Sequence, residues 1–298
     1  MAPPSLFQKN TLTKAMKDDD NAIDFLALLR EEKKRARELR QQNKSEPTPN
    51  IDASNNPSSS SVIPPSTLSS KPPLPDWPQE DSHNQPLRIS PFDRDKTVVS
   101  KDPATIYYLP DAIESQQAAQ DLQQWLLTLP DGDDGVACWK TMTYGKRRAC
   151  MMETLPNGPL LELANELVAR GIFSCDEPPN HVLLNDYQPG QGILPHTDGP
   201  VYASRTATLS LGSDVLLNFT KRLTTEQVGI VDNSPKVQLL LEARSLVVFE
   251  QEAYLEYCHG IDMDKYEEFA LPVCANASVG TRVERGHRLS MTFRHKKE

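Results

Sequence analysis

The chain has 298 residues, among them 25 prolines, 41 acidic and 32 basic side chains, giving a formal charge of −9. A net-acidic chain is not a general coating protein for nucleic acid. No apolar run approaches the roughly 18 residues that a membrane span requires. Both excesses are local. Residues 47–91 hold 11 of the prolines, and residues 1–100 lack glycine and balance 14 basic against 14 acidic groups, so the whole charge falls on residues 101–298.

Residues 1–45 are polar except for the patch Ala22–Leu29, where Asp20 or Asn21 can cap a short helix. Glu31–Arg35 and Lys34–Glu38 have helix-supporting spacing. So little apolar surface leaves a helix marginal alone. Residues 22–43 therefore read as a solvated helix or as a docking segment for a protein partner. The run Lys33-Lys34-Arg35-Ala36-Arg37 is compatible with nuclear import. Residues 46–100, rich in Pro and Ser, are expected to be a disordered linker, with Trp77 and Phe92 as isolated aromatics. The start, Met-Ala-Pro-Pro-Ser-Leu-Phe, lacks the apolar stretch of a secretory signal. Cysteines 138, 150, 175, 258 and 274 form no Cys-x-x-Cys pair and suit a reducing compartment. The expectation is residence in nucleus and cytoplasm, and a monomer.

The folded part is expected over residues 101–298. Thr105–Leu109 reads as a strand, and 115–129 as a helix with Leu122, Trp125, Leu126 and Leu129 on one face. A second helix spans 160–170. Short strands follow at 181–187, 193–196, 205–211, 214–219, 236–243, 245–249, 253–259 and 287–295, with a long excursion between Ile261 and Gly286. Helices followed by a run of strands predict a mainly β, α+β arrangement, with helices on one face of a β-sandwich or jelly roll.

Three segments carry chemistry. In Ile193-Leu194-Pro195-His196-Thr197-Asp198 the imidazole and carboxylate are two residues apart, so on a strand they share a face. A His and a carboxylate are two members of the facial triad that holds Fe(II) with open positions. His259 closes a strand and precedes Gly260; it is either a hydrogen-bonded turn histidine or a ligand at the strand end. In Arg288-Leu289-Ser290-Met291-Thr292-Phe293-Arg294 the polar residues share one face and the apolar residues the other. Two arginines facing a barrel interior need anions; on an exposed edge strand they would be solvated.

Taken together, Asn185-x-Tyr187, the His196-x-Asp198 segment, His259-Gly260-Ile261 and Arg288-x-Ser290-x-Thr292-Phe293-Arg294 resemble the AlkB family of Fe(II)/2-oxoglutarate dioxygenases. Thr105–Pro110, Asn180–Asn185, Ser210–Ser213 and Ala243–Leu246 are similar to the AlkB homologue six branch. The resemblance covers about residues 104–296. It implies a double-stranded β-helix with a disordered N-terminal tail, Fe(II) on His196, Asp198 and His259, and 2-oxoglutarate bound by Asn185, Tyr187, Arg288 and Arg294. O2 would be the second co-substrate, and oxidation of an N-methyl group would release formaldehyde. The implied substrate is an alkylated nucleic acid. Alternatives are a protein hydroxylase or demethylase and a non-catalytic interaction module. Trp139, Lys146, Arg147 and Arg148 are the expected contacts for a single-stranded or flipped base.

Overall fold

The computed structural model describes Trp77 and residues 86–132, 139–222 and 234–297. The expected N-terminal tail, its linker up to residue 85 apart from Trp77, and the partner segment 22–43 lie outside these residues. In chain order the elements begin with α1 (Arg94–Thr97), β1 (Ile106–Leu109), α2 (Gln116–Leu127), β2 (Lys140–Thr141), β3 (Arg148–Met152) and α3 (Pro159–Ala169). Then come β4 (His181–Tyr187), β5 (Ile193–His196), β6 (Arg205–Gly212), β7 (Val215–Lys221), β8 (Val237–Leu241) and β9 (Leu246–Glu250). The chain closes with α4 (Gln251–Glu256), β10 (Tyr257–Ile261), β11 (Glu267–Phe269), β12 (Arg282–Glu284) and β13 (Arg288–Arg294).

A seven-stranded sheet has the order β1-β9-β6-β13-β4-β3-β2, and a four-stranded sheet the order β5-β10-β7-β8. The chain alternates between them: β4, β6, β9 and β13 lie in the first, β5, β7, β8 and β10 in the second. All their pairings are antiparallel. Eight strands wound in this way form a jelly roll.

Strand parity decides which side chains face which layer. On β13, Leu289, Met291 and Phe293 join Val182, Leu184, Leu209 and Leu211 in a core that also takes Leu122, Trp125 and Leu126 of α2 and Leu160, Leu163 and Leu167 of α3. The opposite face of β13 looks between the sheets. The helices have local causes. Ser115 accepts a hydrogen bond from the Ala118 N–H at 3.1 Å to cap α2. Pro159 opens α3, and Gly171, at φ +69, follows its end in the left-handed region.

Three expectations are corrected. The fold begins before residue 101. Leu87 and Ile89 are buried, and the backbone of 88–90 bonds to that of 112–114. Their i, i+2 spacing makes a short edge pairing at Ile89↔Ile113. Phe92 meets Tyr107 edge-on with centroids 5.9 Å apart, and Trp77 meets Trp125 likewise at 6.1 Å, so neither aromatic is isolated. The stretch 253–259 is not one strand: α4 occupies 251–256 and only then does β10 begin. The segment reads as a short apolar strand, yet Leu255 is exposed while neighbouring Ala253 and Tyr254 are buried, which is helical burial. Lastly, β2 and β3 were not expected; they extend the larger sheet beyond β4.

The excursion after β10 carries β11 and β12, and the loop between these two strands covers the free edge of β8. Gln238 N–H donates to Val273 O and Ala275 N–H to Gln238 O, and the Asn276 carboxamide satisfies both backbone groups of Leu240 at 2.8 Å.

Candidate metal centre and cofactor pocket

His196 and His259 come from neighbouring strands of the smaller sheet and lie directly opposite in register. Their rings are 4.4 Å apart, centroid to centroid. Asp198, just past β5, brings its carboxylate to them, and the three ligand atoms lie within 4.8 Å of one another. His259 is brought to this pair: its Nε2 is 3.8 Å from Asp198 Oδ1.

The cluster is prepared as a donor set. His196 Nδ1 bonds the Leu194 carbonyl at 2.8 Å, which fixes the ring and leaves Nε2 for a metal. Burial, aided by the adjacent His259, lowers His196 to about 3, and burial lowers His259 as well. Both imidazoles are therefore neutral at pH 7. Burial alone would raise Asp198, but Arg294 and the two histidines hold it down to about 2. Its Oδ1 accepts from Arg294 Nη2 at 2.8 Å and its Oδ2 from the Thr206 hydroxyl. Two neutral imidazoles and one oriented carboxylate fit a divalent iron site.

Next to the triad is a cavity of about 50 Å³ between the sheets. It is lined by Leu183, Asn185 and Tyr187 of β4, by Arg288, Ser290, Thr292 and Arg294 of β13, and by apolar residues such as Leu217, Val247 and Phe249. Arg288 is nearly fully buried. Its Nη2 donates to Ser210 Oγ at 2.9 Å, while Nε and Nη1 have no hydrogen-bond partner. Its guanidinium lies over the Tyr187 ring at 5.4 Å. Burial lowers Arg288 to about 10, so it stays charged. A buried cation with open donors on two sides needs an anion, and a carboxylate group supplies the charge and the acceptors. The cavity therefore fits a small dicarboxylate at the arginine end and a metal at the other.

Asn185, Tyr187, Arg288 and Arg294 are thus brought together with the triad. The four proposed base contacts are not grouped as expected. Trp139 is buried and its Nε1 donates to Leu126 O, so it has no face open to a base. Arg148 lies over that ring at 5.4 Å and is paired with Asp186 and Asp131 on the outer face. Arg147 is buried and donates from Nε to Asn185 Oδ1 at 2.9 Å, inside the barrel mouth. Of the four, Lys146 alone is exposed, with Tyr144 half-exposed beside it. Parity explains the split, because Arg148 pairs with Asp186 and therefore faces away from Asn185. Thr206 and Ser210, which orient Asp198 and Arg288, were not singled out. The alternation Thr206-Ala207-Thr208-Leu209-Ser210-Leu211 carries the signal, since the polar members face the cavity.

Residues 135–294 match the 2OG-Fe(II) oxygenase superfamily. The chain is 30% identical over 213 residues to "Probable RNA/DNA demethylase ALKBH6" of Danio rerio, covering 68% of this chain and 90% of that protein. It is also 30% identical over 138 residues to "Uncharacterized protein L905" of Acanthamoeba polyphaga mimivirus, covering 45% and 55%. The solved structure of OsALKBH1 aligns with a TM-score of 0.42 and 16% identity, over 64% of this chain and 96% of that one. The chain belongs to the 2OG-Fe(II) oxygenase superfamily, within its AlkB family. The superfamily uses Fe(II), 2-oxoglutarate and O2, and the His-Asp-His cluster fits that chemistry.

Proposed function

We propose that this chain is an oxidative demethylase of alkylated nucleic acid. The observation that carries the reading is the meeting, in one barrel mouth, of the His196–Asp198–His259 donor set with a buried arginine that has two open donors. The name of the zebrafish relative, "Probable RNA/DNA demethylase ALKBH6", supports the substrate class. With iron and 2-oxoglutarate bound, O2 would be the oxidant: one of its oxygen atoms ends in succinate as 2-oxoglutarate loses CO2, and the other leaves with the N-methyl carbon as formaldehyde.

The chain's own contribution is placement. His196, Asp198 and His259 would hold the metal beside the cavity. Arg288, with Ser210 fixing its third donor, receives the distal carboxylate; Tyr187 gives it a ring to lie on, and Asn185 borders the same bed. Arg294 and Thr206 hold the Asp198 carboxylate between them, so its orientation precedes binding. Apolar walls from Leu217, Val247 and Phe249 limit water around the centre. The exposed Tyr144 and Lys146, on the turn leading into β3, offer an aromatic face and a cation to a nucleotide. Residence in nucleus and cytoplasm is the reading that the cysteine usage and the basic run at 33–37 support.

The test is incubation of the full chain with Fe(II), 2-oxoglutarate and methylated oligonucleotides, reading formaldehyde and the demethylated base by mass spectrometry. His196→Ala should abolish both products. Succinate at background with every methylated oligonucleotide, despite metal-dependent thermal stabilisation, would remove the nucleic-acid reading.

A further inference from the structure

The carboxylate that completes the metal centre is held by an arginine that must itself be held. Arg294 is buried, and its Nη2 donates to Asp198 Oδ1 at 2.8 Å. Its Nε has no hydrogen-bond partner among the described residues. A guanidinium carries several N–H donors in one plane, so a bond at one corner does not by itself fix that plane. An aromatic face lies against it: the Tyr202 ring centroid is 4.9 Å from the guanidinium carbon. Away from water such a contact is worth more than at an exposed site.

Tyr202 is fixed from two directions. It lies in the loop between β5 and β6, and that loop is laced to the chain that follows Arg294. Tyr202 bridges Lys296, Ala203 N–H donates to His295 O at 2.8 Å, and Lys297 N–H donates to Val201 O at 2.9 Å. The ring is buried, and its hydroxyl meets His181 Nε2 at 3.3 Å, with the two ring centroids 5.0 Å apart. His181 opens β4 and is the register partner of Arg294 on β13. Burial, aided by the Arg294 charge, lowers His181 to about 4, so at pH 7 it adds no like charge beside the guanidinium. His181, Tyr202 and Arg294 therefore close a triangle. One side is a strand pairing, one a hydroxyl–imidazole contact, and one a cation over a ring.

We propose that Tyr202 is a positioning residue for the metal centre: anchored on His181, its ring sets the plane of Arg294 and, through it, the Asp198 carboxylate. Thr206 holds the other carboxylate oxygen directly; Tyr202 acts one residue further out. The inference rests on the His196–Asp198–His259 triad being a metal site.

The test measures Mn(II) dissociation constants of the full chain by calorimetry. Co(II) is the second probe, because its visible absorption reports the geometry of its ligands. Tyr202→Leu removes the ring; Mn(II) affinity should fall about ten-fold or more, within the range for loss of a metal ligand's outer partner, and the Co(II) bands should move. If that variant does not fold, Tyr202→Met, a flexible filler of core gaps, takes its place. Tyr202→Phe keeps the ring and should stay within about three-fold of native, the scale of one neutral hydrogen bond. The control is Leu122→Ala, a truncation in the helix-facing core, which should lower stability to urea and leave both metal readouts native. Native Mn(II) affinity with native Co(II) bands in the ringless variant overturns the proposal. So does a loss in Tyr202→Phe as large as that in the ringless variant, or an equal loss in Leu122→Ala, which would make the effect one of general destabilisation. Absence of Mn(II) and Co(II) binding by the native chain overturns the metal site itself and this inference with it.

Discussion

Replacing Thr206 by valine isolates what the carboxylate clamp does for the metal. The side chain is fully buried and valine nearly matches its volume, so packing changes little while the donor to Asp198 Oδ2 is lost. Asp198 keeps its Arg294 bond at 2.8 Å, so one charge-assisted hydrogen bond of two is removed. Such bonds contribute about 1.5–3 kcal/mol, and removal of a metal ligand's hydrogen-bond partner costs about 10–100-fold in affinity. Mn(II) dissociation constants from calorimetry should therefore rise by about that factor. The control is Thr208→Val, the same change two residues along β6, where the hydroxyl bonds Thr292 at 3.1 Å and not the ligand. Mn(II) affinity should change less than about three-fold there, on the scale of a neutral hydrogen bond. Equal Mn(II) affinity in Thr206→Val and the native protein would refute the idea that the clamp pre-orients Asp198.

Arg288→Lys should raise the 2-oxoglutarate dissociation constant at least about 30-fold, since a point charge replaces a planar fork in a buried site; Mn(II) affinity should stay near native, and calorimetry reads both. Asp186→Ala leaves Arg148 and His287 without their shared acceptor, and urea unfolding should show a loss of about 3 kcal/mol. Burial pushes Glu268 up to about 7 despite Arg285 at 3.4 Å, so burial outweighs the ion pair. The folded state then keeps a proton that the unfolded chain loses above about 4.5, and stability falls as pH rises from about 4.5 to 7. Melting temperatures of Glu268→Gln should match the native protein near pH 4.5 and exceed it at pH 8; the reverse order would refute this assignment.

The site was legible where chemistry and parity coincide in a short stretch. His196-x-Asp198 and the alternating β13 segment state their geometry through period-2 spacing, and β4, β5 and β13 fall within a residue of their expected bounds. His259 was ambiguous from its neighbours, because its role depends on β10 pairing with β5, a contact of residues 63 positions apart. The base-contact expectation failed for a related reason. Composition marks Trp139–Arg148 as aromatic and basic, but whether each residue is inward, outward or buried depends on β3 joining β4, and β3 is too short and mixed to announce itself. The burial of Leu87 and Ile89 was hidden by the prolines around them; two apolar residues sufficed once 112–114 offered backbone partners.

Two glycines set the reference frame for whatever substrate enters. Gly145, at φ +75 in the turn before β3, lies so close to Gly192, just before β5, that a Cβ on Gly145 would stand 2.0 Å from the Gly192 carbonyl oxygen. The Gly192 N–H in turn donates to Gly145 O at 3.3 Å. The turn that presents Tyr144, Lys146 and Arg147 is thus docked, backbone on backbone, against the segment that leads to His196. Any ligand held by that turn would be measured from the metal centre by a fixed spacer and not by a swinging arm. Retargeting the enzyme would accordingly mean rewriting residues 141–144 and 146–147 while leaving both glycines in place, for a side chain at either one would shift the ruler along with the object it measures.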